Sequence, residues 1–287
     1  MSFINAFESN LAYFECSHEE TPELLFKYKA LGTPEDANRA VDILNNKRIY
    51  LPTPSELNDP FEGCSVVLNG CWAGCSMSPS LGYLQSPMKD ALDRFRVLSL
   101  TRKWDSPQMW AHYACGYRGI CIAIKTSTFQ TNCFAIKYGF EPKRLSIPGP
   151  EALEAEGYLG STDAYAGLSL LRKQADWEYE AEWRALFHES EGQGAFLQLE
   201  DDAIPFVLLG QNIEKTNAQQ ICEVCENENI PVFITHQMPY QLRIMALPVG
   251  LELCFDGRTA SEQSAMYCRE HSITPFEKLC EAESKNN

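Results

Sequence analysis

Three stretches of this chain combine carboxylates, aromatic rings and hydrogen-bond donors beyond what a core or a solvated face needs. In Trp177-Glu178-Tyr179-Glu180-Ala181-Glu182-Trp183-Arg184 the acids recur at every second residue. As a strand, the run would point Glu178, Glu180 and Glu182 to one face and Tyr179, Ala181 and Trp183 to the other. A face of acids suits solvent, or a cleft that handles a cation or a ribose hydroxyl. Arg184 can pair there with Asp59 or Glu180 and hold the carboxylates in place. Glu182 can equally lie in a salt bridge with Arg184 or Lys173, away from any cleft.

The second stretch is Ser106 to Gly119. On a helix, Met109, His112 and Tyr113 share a face, and Trp110 and Tyr113 are neighbours. One turn then offers an apolar body with polar tips, among Tyr117 and Arg118. His112 reads either as a packing residue or as an acid–base group. The third stretch, Ser55-Glu56-Leu57-Asn58-Asp59-Pro60-Phe61, has the chemistry of an Asx-type turn, with Phe61 expected in the core.

The elements that must position these residues read as follows. Leu24 to Ala30 has strand composition, and Thr33-Pro34-Glu35-Asp36 starts a helix over about 34–46. That helix carries Ala37, Val41 and Leu44 on one stripe. Short strands are expected at Arg48–Leu51, Phe95–Thr101, Ile120–Lys125 and Cys133–Tyr138. A short helix spans Pro107–Cys115, and another covers Ala164–Asp176 ahead of a strand at Glu182–His188. Ala203–Gly210, Pro231–Thr235 and Gln241–Leu247 read as later strands, with a helix over Lys215–Asn227. Residues 1–22 read as an irregular lead-in, 64–90 as a cysteine-rich insertion, 142–160 as loop, and 258–287 as a polar tail, partly helical at best. With no internal repeat or clear linker, the expectation is one α+β domain with its core over about 24–250.

In this order the motifs resemble the bacterial family called domain of unknown function 2971. The resemblance rests on Leu25-Phe26-Lys27-Tyr28-Lys29, Ile43-Leu44, Asn58-Asp59-Pro60-Phe61, Met109-Trp110-Ala111-His112-Tyr113, Gly119-Ile120-Cys121-Ile122 and the run Trp177 to Arg184, across roughly residues 24–210. The cysteine-rich stretch departs from the family pattern. More remotely, the arrangement is similar to ADP-ribosyltransferase-like folds. That implies a mostly antiparallel, split sheet with flanking helices around a central cleft for nicotinamide adenine dinucleotide (NAD). It implies a basic or polar residue from an early strand, aromatics from a middle segment and a glutamate from a late strand. Glu182 is then the candidate glutamate, with Glu180 its rival. Lys27 or Lys29 would neutralise a phosphate, Tyr28, Trp110 or Tyr113 would stack on nicotinamide, and Asn58 and His112 would fix the cleft through hydrogen bonds, with Arg184 paired to Asp59 or Glu180. A separate reading is a hydrolase that uses Glu180, Glu182 and His112 on a phosphate or nucleic-acid substrate, which the strong acidity opposes. Cleaving the nicotinamide–ribose bond builds oxocarbenium character, which a nearby carboxylate stabilises. The alternative is a non-catalytic module that binds a ligand or protein, of the kind used in stress or phage defence.

Composition narrows the field. The net charge is −15 and the pI about 4.8, which opposes polyanions and disfavours nucleic-acid partners. The chain has no Gly-x-Gly-x-x-Gly or phosphate-loop pattern, so a doubly wound dinucleotide fold is not supported. The opening residues carry acids and no Lys or Arg, and no run reaches the roughly 20 apolar residues of a membrane span. A cytoplasmic, non-membrane protein is expected. The twelve cysteines lack a disulfide pattern. Cys64, Cys71 and Cys75 crowd one stretch, and Cys222 and Cys225 form a C-x-x-C with only His236 nearby. Neither has zinc spacing, so packing thiols and no metal are expected.

Overall fold

The segment Leu24–Lys29 opens on three apolar residues and then sets Tyr28 between two lysines, and it forms strand β1 with Leu25, Phe26 and Tyr28 buried. Thr33 then caps a helix, its Oγ1 accepting the Asp36 N–H at 3.2 Å, with Pro34 and two acids in the first turn. The helix is α1, Pro34–Asn46, and it buries Ala37, Ala40, Ile43 and Leu44. It ends at Lys47, a left-handed residue whose buried ammonium meets the Leu44 carbonyl and the Glu228 carboxylate. The computed structural model describes residues 20–63, 66–68, 71–72, 89–139, 143–145, 161–238, 241–253 and 258–282. Most of the lead-in, the cysteine-rich stretch and the 142–160 loop fall outside those residues.

Further strands are β2 Phe95–Thr101, β3 Ile120–Lys125, β4 Cys133–Ala135, β5 Glu182–His188, β6 Val207–Leu209, β7 Val232–Met238 and β8 Arg243–Pro248. Helices α2 Pro107–Tyr113, α3 Ser161–Ser169, α4 Lys215–Asn227, α5 Ala260–Glu270 and α6 Phe276–Ala282 complete the main elements. The eight strands form one mixed, mostly antiparallel sheet in the order β8-β7-β6-β3-β1-β2-β5-β4, as an α+β protein should. Among the pairs with a defined register, β6 with β7 is parallel. Helix α4 spans the chain between these two strands, in keeping with the crossover that parallel neighbours require.

By internal contacts the chain forms two units, each assembled from separate stretches. The first comprises Met1–Thr21, Tyr50–Ser99 and Phe129–Leu197, the second Pro22–Ile49, Leu100–Thr128 and Gln198–Asn287. The core of the first holds Phe95, Val97, Ile136, Ala166, Leu168, Leu170, Leu171 and Leu186. In the second, Phe206, Phe233 and Phe276 meet edge-on with ring centroids 5.2 to 6.2 Å apart. Phe276 opens α6, so the polar tail is helical in two places and returns an aromatic ring to the core.

One expected element is replaced. The stretch from Ala164 to Asp176 is not a single helix: α3 stops at Ser169, and Arg172–Lys173 pairs in parallel with Lys137–Tyr138. Ala175–Glu180 then winds as a 3-10 turn, and Ala181 takes φ 43° before β5 begins. The three alternating acids are therefore not on one strand.

Candidate functional site

Strand β5 is buried along its whole length, so its polar residues are there for a reason that solvent does not supply. Glu182, Arg184, Leu186 and His188 share one of its faces by strand periodicity. The side chains of Glu182 and Arg184 are 5% and 1% exposed. Such burial is costly for charge unless each group is paired.

Pairing is complete around Arg184. Its Nε donates to Glu182 Oε1 at 2.7 Å and its Nη2 to Glu182 Oε2 at 3.2 Å. Nη1 and Nη2 donate to the two oxygens of Glu62, and Nη1 also to the Leu170 carbonyl at 2.5 Å. Lys173 lies on the other side, with Nζ 2.6 Å from Glu180 Oε2 and 2.7 Å from Glu182 Oε2. The left-handed Ala181 turns the chain between the two glutamates that meet this one ammonium. The Trp177 ring lies 5.1 Å from Lys173 Nζ, a cation–π distance. The Glu182 N–H donates to the Tyr138 hydroxyl at 2.7 Å.

The cluster holds three carboxylates against two cations, so it carries one excess negative charge when all are ionised. Burial by itself would push Glu182 up, but Arg184 and Lys173 overcome that and hold it down at about 2. Glu62 shifts the other way. Burial raises it, and Arg184 only partly opposes the rise. For Arg184 and Lys173, burial favours the neutral form, yet the neighbouring carboxylates raise both. Glu182 is thus an ionised carboxylate at neutral pH, positioned at the first residue of a late strand.

The expected Asx turn forms, with Asp59 Oδ1 accepting the Phe61 N–H at 2.9 Å. Asp59 is buried and Asn58 exposed. Phe61 is 51% exposed rather than in the core. Arg184 pairs with Glu62 and Glu182, not with Asp59 or Glu180, because Asp59 binds its own loop and Glu180 goes to Lys173. Glu62 is the residue that sequence reading missed. It follows the singled-out turn directly, but nothing local marks it as the partner of a residue so distant.

The remaining candidates lie in the second unit. Tyr28 donates its hydroxyl to the Lys103 carbonyl at 2.9 Å, and burial raises its pKa strongly. Its ring meets Trp110 edge-on at 5.1 Å. Trp110 is wholly buried, donates Nε1–H to the Trp104 carbonyl at 2.7 Å and stacks on Tyr117 at 5.9 Å. Both aromatics therefore pack within the core. Lys27 and Lys29 are half-buried on β1, and burial together with Arg39 lowers Lys29. On α2, His112 is exposed and Tyr113 half-buried.

Cys222 and Cys225 are thiols on α4, Cys225 buried and pushed up to about 12 by that burial. Among the described residues, no group of three or more His, Cys, Asp or Glu side chains is arranged to hold a metal ion. Nor is any helix among them long and apolar enough to cross a membrane. In comparisons with known proteins, no protein family, no curated protein and no solved structure matches this chain.

Proposed function

We propose that this chain uses NAD as a glycosyl donor, transferring ADP-ribose or hydrolysing the dinucleotide, in the manner of ADP-ribosyltransferase-like enzymes. We place it with the bacterial domain of unknown function 2971 family by its motifs. The observation that carries the reading is Glu182, an ionised carboxylate opening a late strand, with cationic Lys173 beside it and the Trp177 ring against that ammonium. A carboxylate held at a pKa of about 2 stays charged through the reaction. It therefore stabilises positive charge as the nicotinamide–ribose bond breaks, and it accepts a ribose hydroxyl hydrogen bond. On this reading the ribose displaces Lys173 from Glu182 Oε2, and the ammonium keeps Glu180 as its partner.

A second reading is a non-catalytic ligand- or protein-binding module. It is favoured by the fact that both Glu182 oxygens are already hydrogen-bonded in a buried cluster. There the cluster only pins β5 to its surroundings. Nicotinamide release from NAD, by wild type and by Glu182→Gln, separates the two. Release by the wild type and its loss in a folded variant supports the enzyme. No release, with or without cell lysate as a source of acceptors, transfers the case to the binding module.

A further inference from the structure

The same face of β5 carries a second polar station, at its last residue, His188. The imidazole is buried, and its ring is met edge-on by Phe95 at 5.0 Å. Nδ1 lies 2.7 Å from the hydroxyl oxygen of Ser190, and it also accepts the Ser190 N–H at 3.3 Å. An acceptor role at Nδ1 assigns the ring proton of neutral His188 to Nε2. Nε2 lies 3.5 Å from Asp163 Oδ2 on α3, an electrostatic contact outside hydrogen-bond geometry. Asp163 is fixed in turn by Arg94, whose Nη1 contacts its two oxygens at 2.8 and 3.0 Å. A cap on the 3-10 turn Glu189–Glu191 needs only the backbone N–H. The shorter contact, however, is to the hydroxyl of Ser190, an exposed residue.

We propose that Ser190 is a nucleophile toward small activated acyl esters, with His188 as its base and Asp163 as the positioning residue behind the imidazole. The order serine, imidazole, carboxylate is that of a nucleophile, its base and the group that orients the base. As Ser190 Oγ bonds to the acyl carbon, its proton passes to His188 Nδ1. The ester's alkoxide or phenoxide leaves with that proton, and water then releases the acid from Ser190 by the same transfers in reverse. The Nε2 proton stays on the ring throughout, and Asp163 stabilises the transient imidazolium. This activity is independent of NAD chemistry.

The test is labelling of the full chain with a fluorophosphonate, which forms an Oγ–P bond as fluoride leaves, together with turnover of p-nitrophenyl acetate. A single adduct that maps to Ser190 and vanishes in Ser190→Ala is the expected result. Asp163→Asn should lower kcat for the ester roughly 10²-fold or more while KM holds, with circular dichroism unchanged. Ser190→Ala removes a single oxygen from an exposed residue, so the labelling result stands whether or not variants of the buried His188 fold. Absence of an adduct at Ser190 overturns the proposal. So does labelling that persists in Ser190→Ala, or wild-type kcat in Asp163→Asn.

Discussion

The guanidinium of Arg184 meets both carboxylate oxygens of Glu62, at 2.5 and 2.9 Å, across 122 residues of sequence. With the two bonds to Glu182 and one to the Leu170 carbonyl, five acceptors face the five N–H groups of the side chain. The arrangement is planar and bidentate on one side, which an ammonium cannot reproduce. It ties a surface turn, the end of α3 and the start of β5 to one buried point.

Arg184→Met should therefore be costly, because it strands Glu62 and Glu182 as buried acids. The expected loss is about 3–5 kcal/mol, the usual result of removing one partner from a buried pair. Arg184→Lys should recover little of it. Urea denaturation at neutral pH checks both. A loss below about 1 kcal/mol would mean that water reaches the cluster and screens it.

The acid limb of stability has a definite sign. Glu182 has its carboxyl lowered in the folded chain from 4.5 to about 2, so its contribution is full above pH 4.5 and fades as pH falls toward 2. Glu62 is raised, so its ionised form costs stability above its own folded pKa, and acidification relieves that cost first. Stability of the wild type should thus hold or rise slightly on mild acidification and then drop between pH 4.5 and 2. Glu62→Gln should remove the early part and keep the drop. Chemical denaturation across that pH range reads both limbs.

Trp110 offers a test of packing against hydrogen bonding. Trp110→Phe keeps an aromatic ring against Tyr28 and Tyr117 but leaves the Trp104 carbonyl without its donor. A cost of about 1–3 kcal/mol is expected. Trp110→Ala should cost about 3–5 kcal/mol. Thermal unfolding of the two variants separates the contributions.

Gly119→Ala should be severe for a small change. A Cβ at Gly119 would lie 2.1 Å from the Lys29 carbonyl oxygen, where β1 and β3 pair in register. That neighbour is backbone, so it cannot swing aside. Prising the strands apart should cost at least the roughly 1–3 kcal/mol of an overpacked core site. The thermal midpoint is the readout, with Gly192→Ala as a control where nothing lies within 4 Å of the added carbon but the positive φ remains.

Much of this fold was legible because its signals are local. Strand composition in Leu24–Lys29, apolar runs at Phe95–Thr101 and Ile120–Lys125, and the Thr33 cap each need only neighbouring residues, and each element forms where the sequence places it. The run Glu178 to Glu182 misled for the same reason. Its alternation mimics a strand, while the choice of a 3-10 turn belongs to distant partners, since Lys173 draws Glu180 and Glu182 to one atom. Arg184 could be named as a clamp from its type, but its partner Glu62 could not. Ser190 and Asp163 carried no sequence signal, because a serine after a histidine is common and the aspartate arrives on another element.

The interleaving of the two units has a consequence for synthesis. Pro22–Ile49 leaves the ribosome before the first unit's larger segments, yet it belongs to a unit that also needs Gln198–Asn287. The earlier segments must wait, partly solvated, while the nascent chain lengthens, and loop closure over such separations slows folding. No single cut divides this chain into two self-sufficient pieces, so a nonsense codon anywhere before residue 198 yields a product in which neither unit has all its parts.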